Sequence, residues 1–135
     1  MLSNIKVEEV LFLDIETVPL ASSFGTIDPS IQNLWDKKSR LFRSPDQTPE
    51  DAWGRAGIYS EFGRIICISV GFIKDKNPFG LRLKSFHNDD EKALLLEFAD
   101  MLSKFTRSKK ESQLCAHNGK EFDFPYIARR MIINN

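Results

Sequence analysis

An α/β fold with a mixed sheet is the reading on which three features of the sequence agree. The first is an apolar run over residues 10–13 that leads into Asp14-Ile15-Glu16-Thr17. The second is Ile65-Ile66-Cys67-Ile68-Ser69-Val70, followed at a distance by the alternating Leu81-Arg82-Leu83-Lys84-Ser85-Phe86. The third is a stripe of Leu94, Leu95, Phe98, Met101, Leu102 and Phe105. Continuous apolar runs suit strands buried on both faces, and strict alternation suits a half-exposed antiparallel strand. Recurrence every three or four residues suits an amphipathic helix. Strands that alternate with helices in a chain of 135 residues point to one domain with its own core.

The elements follow in order. Residues 10–13 form the first strand. Residues 29–42 are helical by the spacing of Ile31, Leu34, Trp35, Leu41 and Phe42, with Asp28 placed to cap. Thr48-Pro49-Glu50-Asp51 has the chemistry of a second helix start: a capping Thr, Pro at the first helical position and acids in the first turn. Gly54 and Gly57 weaken the helix that would follow. Residues 64–73 form the second strand and 74–80 a turn around Asn77-Pro78. Residues 81–86 form the third strand. Asn88 and Glu91 have the spacing of a capping pair for the helix over 91–105. Residues 113–116 form a short fourth strand, 117–120 a turn, and the last helix starts at Asp123 or Phe124. The stretch at about 20–62 is therefore an irregular helical insert in an otherwise regular domain spanning 1–135.

Two clusters carry chemistry, each where a strand gives way to something else. In an extended chain residues i and i+2 share a face, so Asp14 and Glu16 project together from the strand end. Open α/β sheets place their ligand sites at that end. Two like charges so close repel unless neutralised, and a hard divalent cation with oxygen ligands is the usual neutraliser. On its own, such a pair reads first as a polar strand end with one carboxylate capping a turn. The second cluster is Ala116-His117-Asn118-Gly119-Lys120-Glu121-Phe122-Asp123-Phe124-Pro125-Tyr126-Ile127. Here Asp123 alone reads as a helix cap and Asn118 as a turn former. If the fourth strand lies beside the first, Asp14, Glu16 and Asp123 converge and can begin a metal site.

Composition sets bounds. Hydrophobic content is 41%, charged content 28% and formal net charge zero, so any case for nucleic-acid binding must rest on local charge. No apolar run approaches the ~20 residues of a membrane span. The N-terminal residues lack the pattern of a signal peptide, and the two cysteines, Cys67 and Cys115, read as buried reduced thiols of a cytoplasmic protein. Lys37, Lys38, Arg40 and Arg43, then Lys104, Arg107, Lys109 and Lys110, read as solvated faces. Arg129 and Arg130, close to the second cluster, are the basic residues best placed to meet a phosphate chain.

Together the two motifs resemble the DEDD (DnaQ-like) 3′–5′ exonucleases of ribonuclease H-like fold. The similarity is greatest to the proofreading exonuclease domains of B-family DNA polymerases and their stand-alone relatives. That family's first motif is a strand ending in D-x-E-T, matched by Asp14-Ile15-Glu16-Thr17. Its second is an Asn followed by a Phe-Asp pair before a helix, matched by Asn118, Phe122 and Asp123 and continued by Pro125, Tyr126 and Ile127. The segment 62–69 also looks like the family's second strand. The resemblance implies a ribonuclease H-like mixed sheet with flanking helices. It implies metal-dependent hydrolysis from the 3′ end of single-stranded DNA or RNA with two Mg²⁺ or Mn²⁺ ions. Asp14, Glu16 and Asp123 would be the metal ligands and catalytic residues; Thr17 and Asn118 would touch the terminal nucleotide.

One departure shapes these expectations. The family carries a third motif, Tyr or His followed by Asp four or five residues later, on a final helix. Only twelve residues follow Asp123 and none is acidic. The resemblance therefore implies an incomplete domain, truncated before its last strand and helix, with weak or no activity of its own. It also implies self-association through an exposed fourth-strand edge. Two rivals remain: a non-catalytic nucleic-acid-binding or scaffolding module of the same fold, and a haloacid-dehalogenase-like phosphatase whose D-x-D-x-T motif Asp14-Ile15-Glu16-Thr17 approximates.

Overall fold

The computed structural model describes residues 5–76 and 79–135. Residues Thr17–Ile65 form one compact unit, and the residues before and after them form the other. Four strands make one sheet in the order β3-β2-β1-β4: β1 (Val10–Pro19), β2 (Gly63–Lys76), β3 (Phe79–His87) and β4 (Gln113–Cys115). β1 and β4 pair in parallel, Val10 opposite Gln113 and Phe12 opposite Cys115. β2 and β3 pair antiparallel, Cys67 opposite His87 and Ser69 opposite Ser85, with a register shift between Ile73 and Asp75. The sheet is thus mixed, as the apolar patterns predict. The turn expected over 74–80 is shorter than that, because the β2–β3 ladder continues to Lys76 opposite Phe79. Asn77 and Pro78 lie outside the described residues.

In the unit that holds most of the sheet, helix α2 (Glu91–Ser108) follows β3, and helix α3 (Asp123–Asn134) follows β4. Side chains on β1 alternate: Leu11, Leu13 and Ile15 are buried, while Phe12, Asp14 and Glu16 are exposed. Both helices cover the buried face. Phe98 of α2 meets Phe86 edge-on at 5.9 Å, and a cavity of about 190 Å³ between the helices and the sheet is lined by Leu13, Leu114, Phe98, Phe124 and Ile127. The cap of α2 differs from the expected one. Asp90, not Asn88, accepts from the helix, at 2.9 Å from Lys92 N, while Asn88 accepts from Asp90 N at 3.0 Å. Glu91 is unavailable for capping because it is buried and grips α3. Arg130 donates to it through two nitrogens, Nε at 2.9 Å from Oε1, and Asn134 Nδ2 donates to Oε2 at 3.0 Å. Arg130 is therefore not the phosphate contact its place in the sequence suggests. A charge this deep is tolerated only with its hydrogen bonds satisfied.

The opposite face of the sheet carries a groove of about 390 Å³ lined by Phe12, Asp14, Ser69, Gly71, Leu81, Leu83 and Ser85. Leu83 is 75% exposed and crosses directly over Gly71, where an added Cβ would lie 2.8 Å from Leu83 Cδ2. Both cysteines are free, but neither is buried as expected: Cys67 is half-buried and Cys115 exposed. β4 has every one of its residues exposed, which strips its thiol of cover.

The Thr17–Ile65 unit folds around aromatic rings. Helix α1 (Pro29–Ser39) starts as predicted, with Pro29 in its first turn and Asp28 accepting from Ser30 N at 2.8 Å. It ends three residues earlier than the apolar spacing suggests. Trp35, fully buried, meets Trp53, Phe62, Tyr59 and Phe42 edge-on at 5.2 to 6.0 Å between centroids. Both indole N–H groups are satisfied, Trp35 by Pro49 O and Trp53 by Ala21 O, each at 2.8 Å. The capping chemistry at Thr48 is present, since Thr48 N donates to Asp51 Oδ2 at 2.8 Å and Asp51 N to Thr48 Oγ1 at 3.2 Å. No α-helix follows it. Residues Trp53–Ile58 wind as a 3-10 helix instead, with Gly57 tight against the backbone of Val18 and Pro19, where a Cβ would sit 3.1 Å away.

Candidate active site

β1 and β4 run in parallel, so the residues that follow β4 emerge at the same sheet end as Asp14 and Glu16. The chain there turns through Asn118, which adopts φ 54°, a left-handed conformation that Asn accepts more readily than most residues. Asn118 O then accepts from Glu121 N at 3.0 Å and Phe122 N at 3.1 Å. Gly119 sits buried inside this turn, and its O accepts from Phe124 N at 2.9 Å. A Cβ at Gly119 would lie 2.7 Å from Ala116 Cβ and 2.8 Å from the Phe124 ring, so only glycine fits. This compact turn delivers Asp123 as the first residue of α3. Asp123 is not the helix cap: that position belongs to Phe122, whose side chain makes no capping bond and packs on the Tyr126 ring at 5.4 Å.

Asp123 is only 2% exposed. Burial pushes its carboxyl above the ordinary carboxylate range, and the charge of Asp14 pushes it further. Its own backbone N–H, the N–H of Ile15 and the charge of His117 pull the other way without prevailing. Asp14 on β1 and Asp123 on α3 therefore lie within electrostatic reach of each other. Ile15 ties the same two elements by a backbone donor. Glu16 shares the exposed face of β1 with Asp14. Among the described residues no three His, Cys, Asp or Glu side chains gather into a metal-binding group. Thr17 is half-buried and opens the Thr17–Ile65 unit. Asn118 is exposed and shapes the turn.

The donor chemistry fits a hard divalent cation. Asp14 and Asp123 offer oxygen ligands alone, and their mutual repulsion is what a bound cation relieves. His117, which follows β4 directly, lies within electrostatic reach of Asp123 and lowers its carboxyl slightly.

Neither a curated protein nor a solved structure matches the chain. A family does: the RNase H superfamily, over residues 55–135, a span that holds β2 to β4, both helices of the sheet unit, Asn118 and Asp123. With a mixed four-stranded sheet, helices against it and a match over more than half its length, this chain belongs to the RNase H superfamily.

Proposed function

We propose that the chain is a metal-dependent 3′–5′ exonuclease domain of the DEDD type, acting on the 3′ end of single-stranded DNA or RNA. The observation that carries this reading is the charge coupling of Asp14, in a D-x-E-T strand end, with the buried Asp123 at the head of α3. Superfamily membership supports the nuclease class. Asp14, Glu16 and Asp123 are the residues that would hold Mg²⁺ or Mn²⁺. Such ions, when bound in pairs, supply an activated water and neutralise the leaving oxygen. The protein's own part is positional. The turn around Gly119 fixes the head of α3, and burial together with the charge of Asp14 raises the Asp123 carboxyl, an effect that a bound cation would offset. By the resemblance, Thr17 and Asn118 would contact the terminal nucleotide.

One observation favours a second reading, a nucleic-acid-binding or scaffolding module without hydrolysis: the absence of a three-ligand cluster among the described residues. A single set of measurements separates the two. The intact chain is titrated with Mn²⁺ by electron paramagnetic resonance and assayed on a 5′-labelled single-stranded oligonucleotide. The exonuclease reading expects Mn²⁺ binding that Asp14→Asn weakens beyond the roughly 10–100-fold typical of an outer-shell change, with shortening from the 3′ end weak or absent for this chain alone. Unchanged Mn²⁺ affinity in Asp14→Asn would sink it; robust shortening abolished by Asp14→Asn would instead overturn the expectation that the chain is nearly inactive by itself.

A further inference from the structure

The Thr17–Ile65 unit carries a group of side chains that the carboxylate site does not use. The Arg55 guanidinium lies over the Phe42 ring, 4.5 Å from its centroid. Phe42 stacks on Tyr59, with centroids 5.8 Å apart and planes 15° from parallel. Lys38 Nζ lies over the Tyr59 ring at 4.6 Å. Two cations are thus held over one pair of stacked rings. We propose that this group is a binding surface for the phosphate backbone of a single-stranded nucleic acid.

A cation over an aromatic face is fixed in place but keeps its charge. A guanidinium keeps its N–H donors in its own plane, in the fork that suits a phosphate. Arg55 is exposed, and among the described residues neither Arg55 nor Lys38 is engaged by a carboxylate. The surroundings add positive charge. Lys37 is exposed, and Arg40 and Arg43 share the one carboxylate of Asp36, which leaves a cation in excess. The two rings already stack on each other, so the surface offers charge and forked donors more than a platform for bases. Recognition should follow the backbone and ignore sequence. Membership of the RNase H superfamily favours a phosphodiester strand over an acidic peptide. The surface uses neither Asp14 nor Asp123, and it stands whether or not the chain cleaves what it binds.

The test is fluorescence anisotropy of the full chain with labelled single-stranded oligonucleotides of two unrelated sequences, in chelator, across a salt series. Chelation removes hydrolysis, so failure of the exonuclease reading leaves this measurement intact. The expected result is similar affinity for both sequences and a steep fall with salt. The double variant Lys38→Gln/Arg55→Gln should bind roughly tenfold more weakly, with a salt slope shallower by about 1.4, the loss of two phosphate contacts. The charge-keeping Lys38→Arg should bind within about twofold of the parent, and the control Lys109→Gln/Lys110→Gln, which removes two charges from the other unit, likewise. Thermal melts confirm that each variant is folded. If Lys38→Gln/Arg55→Gln melts like the parent yet binds as tightly, or if poly-glutamate competes as well as an unlabelled oligonucleotide, the proposal is overturned.

Discussion

Asp123 shows at the scale of one residue how a site is recognised by what it costs. A buried carboxyl facing another carboxylate is held above its ordinary value of 3.8, so the folded state keeps the proton more tightly than the unfolded chain. Its contribution to stability is greatest below that value and declines as pH rises toward the shifted one. Asp123→Asn abolishes the decline. Thermal melts should therefore show the variant more stable than the parent at neutral pH, with the gain vanishing in acid, while Mn²⁺ binding is lost. Gly119 makes the opposite case, because Gly119→Ala should cost about 1–3 kcal/mol through contact with Ala116 and Phe124, read by chemical denaturation. The sequence made Asp14, Glu16, Asp123 and Asn118 legible because acids and turn formers at strand ends are positional signals. It misled on the exposure of Cys115, because an apolar neighbourhood in the sequence suggests burial while all of β4 is exposed in the fold.

Among the elements, α2 and α3 are joined by the Glu91–Arg130 pair rather than by apolar contact alone. Breaking one side of a buried pair strands the other charge. Arg130→Ala should lose about 3–5 kcal/mol in denaturant unfolding, and Glu91→Leu/Arg130→Met should recover most of it. Recovery of nothing would mean the pair also sets the geometry of the helices. Helix α1 was readable to the residue at its start, since Asp28 and Pro29 are local instructions. The helix expected after Thr48 was not, although its capping bonds form. Trp53 has to reach Ala21 O and Gly57 has to pass close to the Val18 backbone, and these distant demands override a local start signal.

For the whole molecule, the pairing of β4 beside β1 is the condition on which the two acidic strand ends meet, while the places of β2 and β3 in the order β3-β2-β1-β4 did not follow from it. The expected irregular insert at about 20–62 nearly coincides with the Thr17–Ile65 unit, but its aromatic core was not legible, because the rings that build it are scattered from Phe24 to Phe62. Among the described residues β4 pairs on one side only, and the groove face exposes Phe12, Leu81 and Leu83. Free edges and apolar patches favour association. Multi-angle light scattering should show mass rising with concentration, and Leu81→Thr/Leu83→Thr should reduce dye binding to the exposed face; a constant monomer mass would refute the first expectation. The ring cluster has an optical consequence as well. The chain has two tryptophans, and both lie in the Thr17–Ile65 unit, perpendicular to each other with centroids 5.3 Å apart. Intrinsic tryptophan emission, and the near-ultraviolet dichroism of that coupled pair, thus report on this unit alone. A nucleic acid settling on Lys38 and Arg55 would announce itself there without any label.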